Sequence, residues 1–524
     1  MKRPLLIHPW LFALYPTLFV YAHNIQEVSL REVWLPALVS LAGAALVALL
    51  AWPAFKTREK VGLVVTLAVI YVFAYGYAAD GLTDVGLWLR PRWLLSVWTA
   101  LLLCGLYLTW RTRRCLAATT KLLNVMAACL TAMCALSIAA SALQARRPRR
   151  AATGPSAEAH PGAAQPAQGP LPDIYYIIVD RYARADVLEA AYGFDNSEFL
   201  DYLTAKGFYV APDSYANYPT TDTSLASSLN MVHLRGQAGD GSDDLVDRRQ
   251  TYPLLQRHAL WMVLKRQGYR FVHFGGWWEP TARNRFADQN VNLGMGSELL
   301  DVIYSRTVLS PILSRIGLYN WRASLRNRVL YAFERIREIP AQGGPTFAFV
   351  HFLCPHPPYV FAADGSYLPE TDSRGLNLRE LYALQVAFLN DRLKGLIEHI
   401  IQESPVLPII VLQADEGPYT PGFQQDAFCD CSGLSDEELW QKMAILNAYY
   451  LPGFPREKLY PGITPVNSFR LIFNHYFGTN YPLLPDDSYG WTGRGAGLRY
   501  LNITERLRKF SARAAGEPKT NQGN

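Results

Sequence analysis

Charge is scarce in this chain and unevenly spread. Asp, Glu, Lys and Arg make up 18% of the 524 residues, while 50% are apolar. The long apolar runs within residues 1–144 have no charged residue near their centres. Ion and proton pathways across a membrane depend on such residues, so this region reads as an anchor and not as a transporter. The remainder has no basic stripe interleaved with aromatics, and a net charge of +6 is mild, which argues against nucleic acid as a partner. No internal repeat is visible. No small-residue cleavage site follows the first apolar run, so a removable leader is not expected. Cysteine is sparse outside the apolar region: of seven, only Cys354, Cys429 and Cys431 lie there. Three thiols permit one disulfide and one free thiol, with Cys354 as a candidate partner of the 429–431 loop. Two cysteines one residue apart make a poor zinc pair.

What the first 145 residues do contain is enough apolar length for several spans, each needing about 20 residues. Five segments qualify, at about 7–23, 33–53, 61–79, 93–110 and 122–144. Lys2, Arg3, Lys56, Arg58, Lys60, Arg111, Arg113, Arg114 and Lys121 fall on one side, against Arg31, Arg90 and Arg92 on the other. The positive-inside rule then makes the N-terminus cytoplasmic. Five spans place everything beyond residue 145 outside. Residues 146–171, rich in Ala, Pro and Gly, cannot bury a core and read as a flexible linker. Residues 172–510 read as a globular domain and 511–524 as a disordered tail.

Within 172–510, short β-rich runs alternate with helical patterns. IYYIIVD (174–180), YRFVHFG (269–275), TFAFVHFL (346–353) and PIIVLQAD (408–415) read as buried strands, and 378–403 as a long helix. The alternation predicts an α/β fold with a largely parallel sheet. Ligands of such sheets bind beyond the carboxyl ends of the strands, where Asp180, His351 and Asp415 fall. Asp180, Asp415 and Glu416 offer hard oxygen ligands. Thr220 or Thr221 offers a hydroxyl at the start of a helical segment. A divalent cation held by the acids would activate that hydroxyl toward phosphorus. Strand-end acids also serve as caps and ion-pair partners, and a Thr/Ser run also serves as a helix cap.

The order of these pieces resembles the alkaline phosphatase/sulfatase superfamily, in particular its membrane-anchored sulfatase-like hydrolase/transferase branch, which includes lipoteichoic acid synthases and lipid A phosphoethanolamine transferases. Asp180 matches the acid that ends the first strand, and TDTSLASSLNM (221–231) matches the helix opened by the nucleophile. PHPPY (355–359), YALQVAFLND (382–391) and Asp415-Glu416-Gly417 match the later motifs, the last with Glu where the family has His. The resemblance implies an alkaline-phosphatase-like α/β/α sandwich behind five transmembrane helices. It implies Thr221 as nucleophile, with Thr220 one residue away, and Asp180, Thr221, Asp415 and Glu416 as ligands of one divalent metal. An all-oxygen set favours Mg²⁺, Mn²⁺ or Ca²⁺ over Zn²⁺. His356, His351, His273 and Trp278 become candidates for substrate contact, with Trp277 and Glu279 beside them. Threonine cannot mature into formylglycine, so sulfate-ester hydrolysis is disfavoured. The expectation is a phospho-group transferase or hydrolase of the bacterial inner membrane, its domain periplasmic, acting on a lipid or lipid-linked glycan. A catalytically inactive scaffold of envelope assembly is the alternative.

Overall fold

The computed structural model describes residues 4–25, 30–85, 87, 91–146, 170–234, 251–293, 298–369, 373, 375–493 and 497–516. The expected linker lies almost wholly outside them. The chain divides into two units, Met1–Pro148 with Met295–Trp321, and Arg149–Gly294 with Arg322–Asn524.

The first unit is helical: α1 (His8–His23), α2 (Trp34–Phe55), α3 (Arg58–Phe73), α4 (Tyr75–Asp84), α5 (Pro91–Arg111) and α6 (Ala117–Arg146). Its interior is made of small and β-branched side chains such as Ala13, Ala44, Val61 and Val65, which let backbones approach closely. Its outside is apolar too, with Leu46 at 55%, Leu103 at 59% and Leu136 at 70% exposure. Helices apolar on every side belong in hydrocarbon or in a core. By length and composition Trp34–Phe55, Arg92–Arg111 and Ala117–Ser141 can each cross a membrane. A fourth crossing arises if α3 and the start of α4, bent by 50°, act as one span. The fifth expected span is α1, whose 16 residues fall short of the usual length.

A second difference concerns Met295–Trp321, expected inside the globular domain but packed in the helical unit. Leu299 and Ile303 bury against Val20, Tyr21 and Val33. Val308 N–H donates to Val72 O at 2.9 Å, and Gly76 N–H donates to Arg306 O at 2.9 Å. These contacts gather at the C-terminal ends of α1 and α3 and the N-terminal end of α2.

The second unit is built on a seven-stranded sheet of β1 (Ile174–Val179), β2 (Tyr209–Val210), β3 (Arg270–Phe274), β4 (Gln289–Val291), β5 (Thr346–Phe352), β6 (Ile409–Gln413) and β7 (Asn447–Tyr450). The order is β2-β7-β6-β1-β5-β3-β4. Strands β6, β1, β5, β3 and β4 pair in parallel; β7 runs against both β6 and β2. A small antiparallel pair, β8 (Tyr489–Thr492) and β9 (Arg499–Asn502), lies apart. Strand β1 is buried along its whole length. Tyr175, Ile177 and Val179 enter one core, and Ile174, Tyr176 and Ile178 enter the other. Each fully buried aliphatic side chain contributes about 1.5–3 kcal/mol. Two cores on opposite faces of one sheet make the expected three layers.

The helix Leu378–Glu403 starts at a capping box in which the Asn377 side chain accepts from the Glu380 amide while the Glu380 carboxylate accepts from the Asn377 amide. Leu389, Leu393, Leu396 and Ile400 turn one face of it to the core. The closing helix Thr504–Gly516 carries regular structure into the region expected to be a tail.

Candidate functional site

Three neighbouring parallel strands bring their carboxyl ends to one place. Asp180 follows β1 directly, Asp415 lies two residues beyond β6, and His351 sits in β5 opposite Ile178 of β1. One ligand atom from each of Asp180, His351 and Asp415 falls within 4.8 Å of the others, and all three residues are buried. The adjacency follows from the strand order β6-β1-β5.

The turn after β1 is unusual. Arg181 has φ +65°, a left-handed conformation that costs a non-glycine residue about 1–3 kcal/mol. Its amide donates to Asp415 Oδ1 at 3.1 Å. Its carbonyl accepts from the Tyr382 hydroxyl at 2.7 Å, and that hydroxyl accepts from the Ala183 amide at 3.0 Å. The tyrosine that opens the YALQVAFLND motif therefore braces the strained turn.

Thr221 is the first residue of the helix Thr221–Asn230, and its side chain is close enough to Asp415 to favour the ionised carboxylate, against the larger opposing effect of burial. Ser224 Oγ donates to the Asp415 carbonyl at 2.6 Å, tying the helix to the end of β6. Thr220 is turned away: its hydroxyl pairs with Thr223 Oγ1 at 2.8 Å. Of the two candidate nucleophiles, Thr221 is the one that meets the acids.

Glu416 is placed differently from the expectation. Its Oε1 is 2.8 Å from Arg181 Nε and 3.1 Å from Lys442 Nζ. Arg181 lies 3.3 Å over the Tyr419 ring, and Lys442 also reaches the Gly417 carbonyl at 3.2 Å. Gly417 is packed so tightly that a Cβ there would lie 2.5 Å from Gln441 O. Thus the Asp-Glu-Gly turn points its aspartate at the cluster and holds its glutamate with two cations.

The electrostatics follow from crowding. Burial, then the charges of Asp180 and Glu416, push the Asp415 carboxyl well above the usual range. Burial also raises Glu416, against Lys442 and Arg181. For Asp180, burial is outweighed by His351 and the Arg181 charge, which hold it below the ordinary value. Two cations face three acids, which is one positive charge too few. Asp180 Oδ1, Asp415 Oδ2, Glu416 Oε2 and His351 Nε2 are buried without a hydrogen-bond partner. Orphaned acceptors of this kind are costly, and those of Asp180, Asp415 and His351 belong to the residues that converge on one point. The donor set fits a divalent cation.

His351 Nδ1 pairs with Thr281 Oγ1 at 2.8 Å, and its Nε2 lies 3.6 Å from Asp180 Oδ2. His273 sits one layer behind, its Nε2 on the Thr281 carbonyl at 2.7 Å and its ring stacked on Phe349. Burial holds its pKa down at about 4. Trp278 presents an edge to His351 at 6.2 Å, and Glu279 begins the short helix Glu279–Ala282. His356 lies between Trp277, at 5.5 Å, and Tyr419, at 6.2 Å. Burial and the Arg181 charge lower its pKa to about 3, so its imidazole is neutral. Cys354, Cys429 and Cys431 are all free thiols; the disulfide considered for Cys354 is not formed. Arg181, Lys442 and Thr281 enter the site without having been singled out, and Tyr382 enters it only as the first residue of a quoted motif. Arg181 is the only one marked by position, directly after Asp180.

The Sulfatase family model matches residues 172–469. The chain belongs to the sulfatase family, within the alkaline phosphatase/sulfatase superfamily. No curated protein matches it closely in sequence. Among solved structures it is similar to the C-terminal periplasmic domain of EptC from Escherichia coli, at 13% identity and TM-score 0.43, covering 65% of this chain and 94% of that one. The periplasmic domain of phosphoethanolamine transferase EptC from Campylobacter jejuni gives 12% and 0.39, covering 61% and 93%. The 2-O GAG sulfatase BT1596 gives 12% and 0.36, covering 66% and 90%.

Proposed function

We propose that this protein is a membrane-anchored, metal-dependent enzyme that moves a phospho-group on a lipid or lipid-linked glycan of the bacterial cell envelope, with Thr221 as nucleophile. The observation that carries the reading is the buried convergence of Asp180, His351 and Asp415, with Thr221 at a helix start beside Asp415. A cation bound there supplies positive charge that lowers the pKa of the Thr221 hydroxyl and draws electrons from a phosphoryl oxygen. Thr221 Oγ1 gives up its proton and bonds to phosphorus. The P–O bond to the leaving alcohol breaks, and that oxygen takes up a proton. Water or an acceptor hydroxyl then displaces Thr221 from phosphorus and restores its hydroxyl. The helix N-terminus favours the anionic group by its dipole. Arg181 and Lys442 keep the surroundings from becoming uniformly negative, and Trp277, His356 and Tyr419 offer flat surfaces for a sugar or headgroup.

Five crossings and a periplasmic domain remain the preferred topology. Leu299, Ile303, Arg306 and Val308, which belong in sequence to the domain, pack on the helix ends that the charge rule places outside. That placement supports the orientation.

The test is turnover of a chromogenic phosphodiester and of an aryl sulfate by the full chain in detergent with added divalent metal. The phosphodiester is expected to turn over, with phosphate ester found on Thr221 by mass spectrometry after quenching. Thr221→Ala should lower the rate by at least about a thousandfold with unfolding unchanged. Undiminished Thr221→Ala activity would remove the nucleophile. Turnover of the sulfate alone would reverse the substrate class, and a metal-binding protein with no turnover of either ester would favour the scaffold reading.

A further inference from the structure

We infer that His351 of β5 supplies the imidazole of the cation site in place of a ligand at position 416, and that Glu416 is a positioning residue held away from the cation by Arg181 and Lys442. The inference rests on the cation site proposed above and assigns its ligands.

Position 416 is the residue that follows Asp415 in the late motif, and there the chain carries glutamate instead of histidine. A carboxylate at that place would make the set all oxygen. Glu416 Oε1 is instead committed to two buried cations at 2.8 and 3.1 Å. Bringing it to a metal would strip Arg181 and Lys442 of their main counter-charge in a buried place, where breaking an ion pair from one side is strongly destabilising. Lys442 is additionally fixed to the Gly417 carbonyl, so the clamp is part of the backbone turn.

His351 shows the opposite pattern. Its Nε2 is buried, has no hydrogen-bond partner and lies 3.6 Å from Asp180 Oδ2. Two ligands of one tetrahedral cation, each about 2.0–2.1 Å from it, sit about 3.3 Å apart, so the observed spacing is close to a shared-cation distance and too long for a hydrogen bond. The other ring nitrogen, Nδ1, is paired with Thr281 Oγ1 at 2.8 Å. A ligating Nε2 requires its lone pair, which puts the ring proton on Nδ1 and makes Thr281 the acceptor. Metal-bound histidines are oriented by such a partner. Thr281 is in turn located by its carbonyl contact to His273 at 2.7 Å. The buried His273 therefore has a positioning role and is not a substrate contact.

The consequence is a change of metal preference. Two carboxylates, one imidazole and the Thr221 oxygen make a mixed N/O set, which suits Zn²⁺ better than Mg²⁺ or Ca²⁺. The preference for Mg²⁺, Mn²⁺ or Ca²⁺ over Zn²⁺ depended on Glu416 being a ligand.

The experiment is X-ray absorption at the zinc edge on the intact, metal-stripped chain reloaded with one equivalent of Zn²⁺, beside calorimetric titrations with Zn²⁺ alone and Mg²⁺ alone. The wild type is expected to show the outer-shell scattering of one imidazole and to bind Zn²⁺ at least tenfold more tightly than Mg²⁺. His351→Gln should lose the imidazole signal, Glu416→Gln should keep it, and Thr281→Val should keep it while weakening Zn²⁺ about 10–100-fold. An imidazole-free spectrum from the wild type overturns the inference without any variant, and so does an imidazole signal that survives in His351→Gln. A wild type that binds no divalent cation would instead defeat the site reading beneath it.

Discussion

Removing Lys442 tests whether Glu416 is structural. In Lys442→Met the methylene stem is largely preserved and the ammonium group is lost. Nζ lies 3.1 Å from Glu416 Oε1, with both side chains at most 2% exposed. Glu416 would keep Arg181, but three acids would then face a single cation. Breaking a buried pair from one side costs about 3–5 kcal/mol. At about 2 cal/mol/K per residue over roughly 300 ordered residues, the unfolding entropy of the domain is about 0.6 kcal/mol/K. The unfolding midpoint should therefore fall by about 5–8 °C. The assay is a thermal scan of the full chain in nanodiscs without metal, at one heating rate. Lys442→Met/Glu416→Gln removes the orphaned charge as well and should recover at least half of the loss. A single variant within about 2 °C of wild type, or a double variant no better than the single, would refute the clamp.

Gly417→Ala would set a Cβ 2.5 Å from Gln441 O and 2.6 Å from Lys442 O, both backbone atoms. It should cost about 1–3 kcal/mol and weaken metal binding by shifting the Asp415 turn; unchanged unfolding and unchanged calorimetry would contradict this. Asp173 accepts from the Thr346 amide, and burial raises its pKa to about 6. Its folded value exceeds the unfolded one of about 3.9, so its contribution is most favourable at low pH and is lost as pH rises toward 6. Asp173→Asn should therefore gain stability relative to wild type between about pH 4 and 6 and hold a constant advantage above; a difference that does not vary with pH would refute the assignment.

How much was legible depended on how local each signal was. The strands around residues 174–179, 270–274, 346–352 and 409–413 announce themselves as short apolar runs, and the helix Leu378–Glu403 by its period and its Asn377/Glu380 cap. Asp180, Thr221 and Asp415 stand at element ends, where a reader of sequence looks first. Their convergence depends on strand order, which periodicity does not encode. His351 lies within a strand, so nothing local separates a ligand from a satisfied core histidine; its partners Thr281 and Asp180 are far along the chain. Glu416 was read as a ligand because its two cations are invisible locally: Lys442 comes from a separate helix. The antiparallel β7 was hidden because a strand's direction depends on its connections. Residues 295–321 fall inside the 172–510 range expected to be the globular domain, and nothing local in their sequence marks a break there. Only the packing of Leu299, Ile303 and Val308 reveals the other partner.

Anomalous diffraction at the zinc edge, on crystals of the protein soaked in Zn²⁺, addresses the cation most directly. A single strong peak is expected among Asp180, His351 and Asp415, with the Thr221 hydroxyl oxygen also in contact and Glu416 still on Arg181 and Lys442. Density without a peak there, or a peak ligated by Glu416, would contradict it.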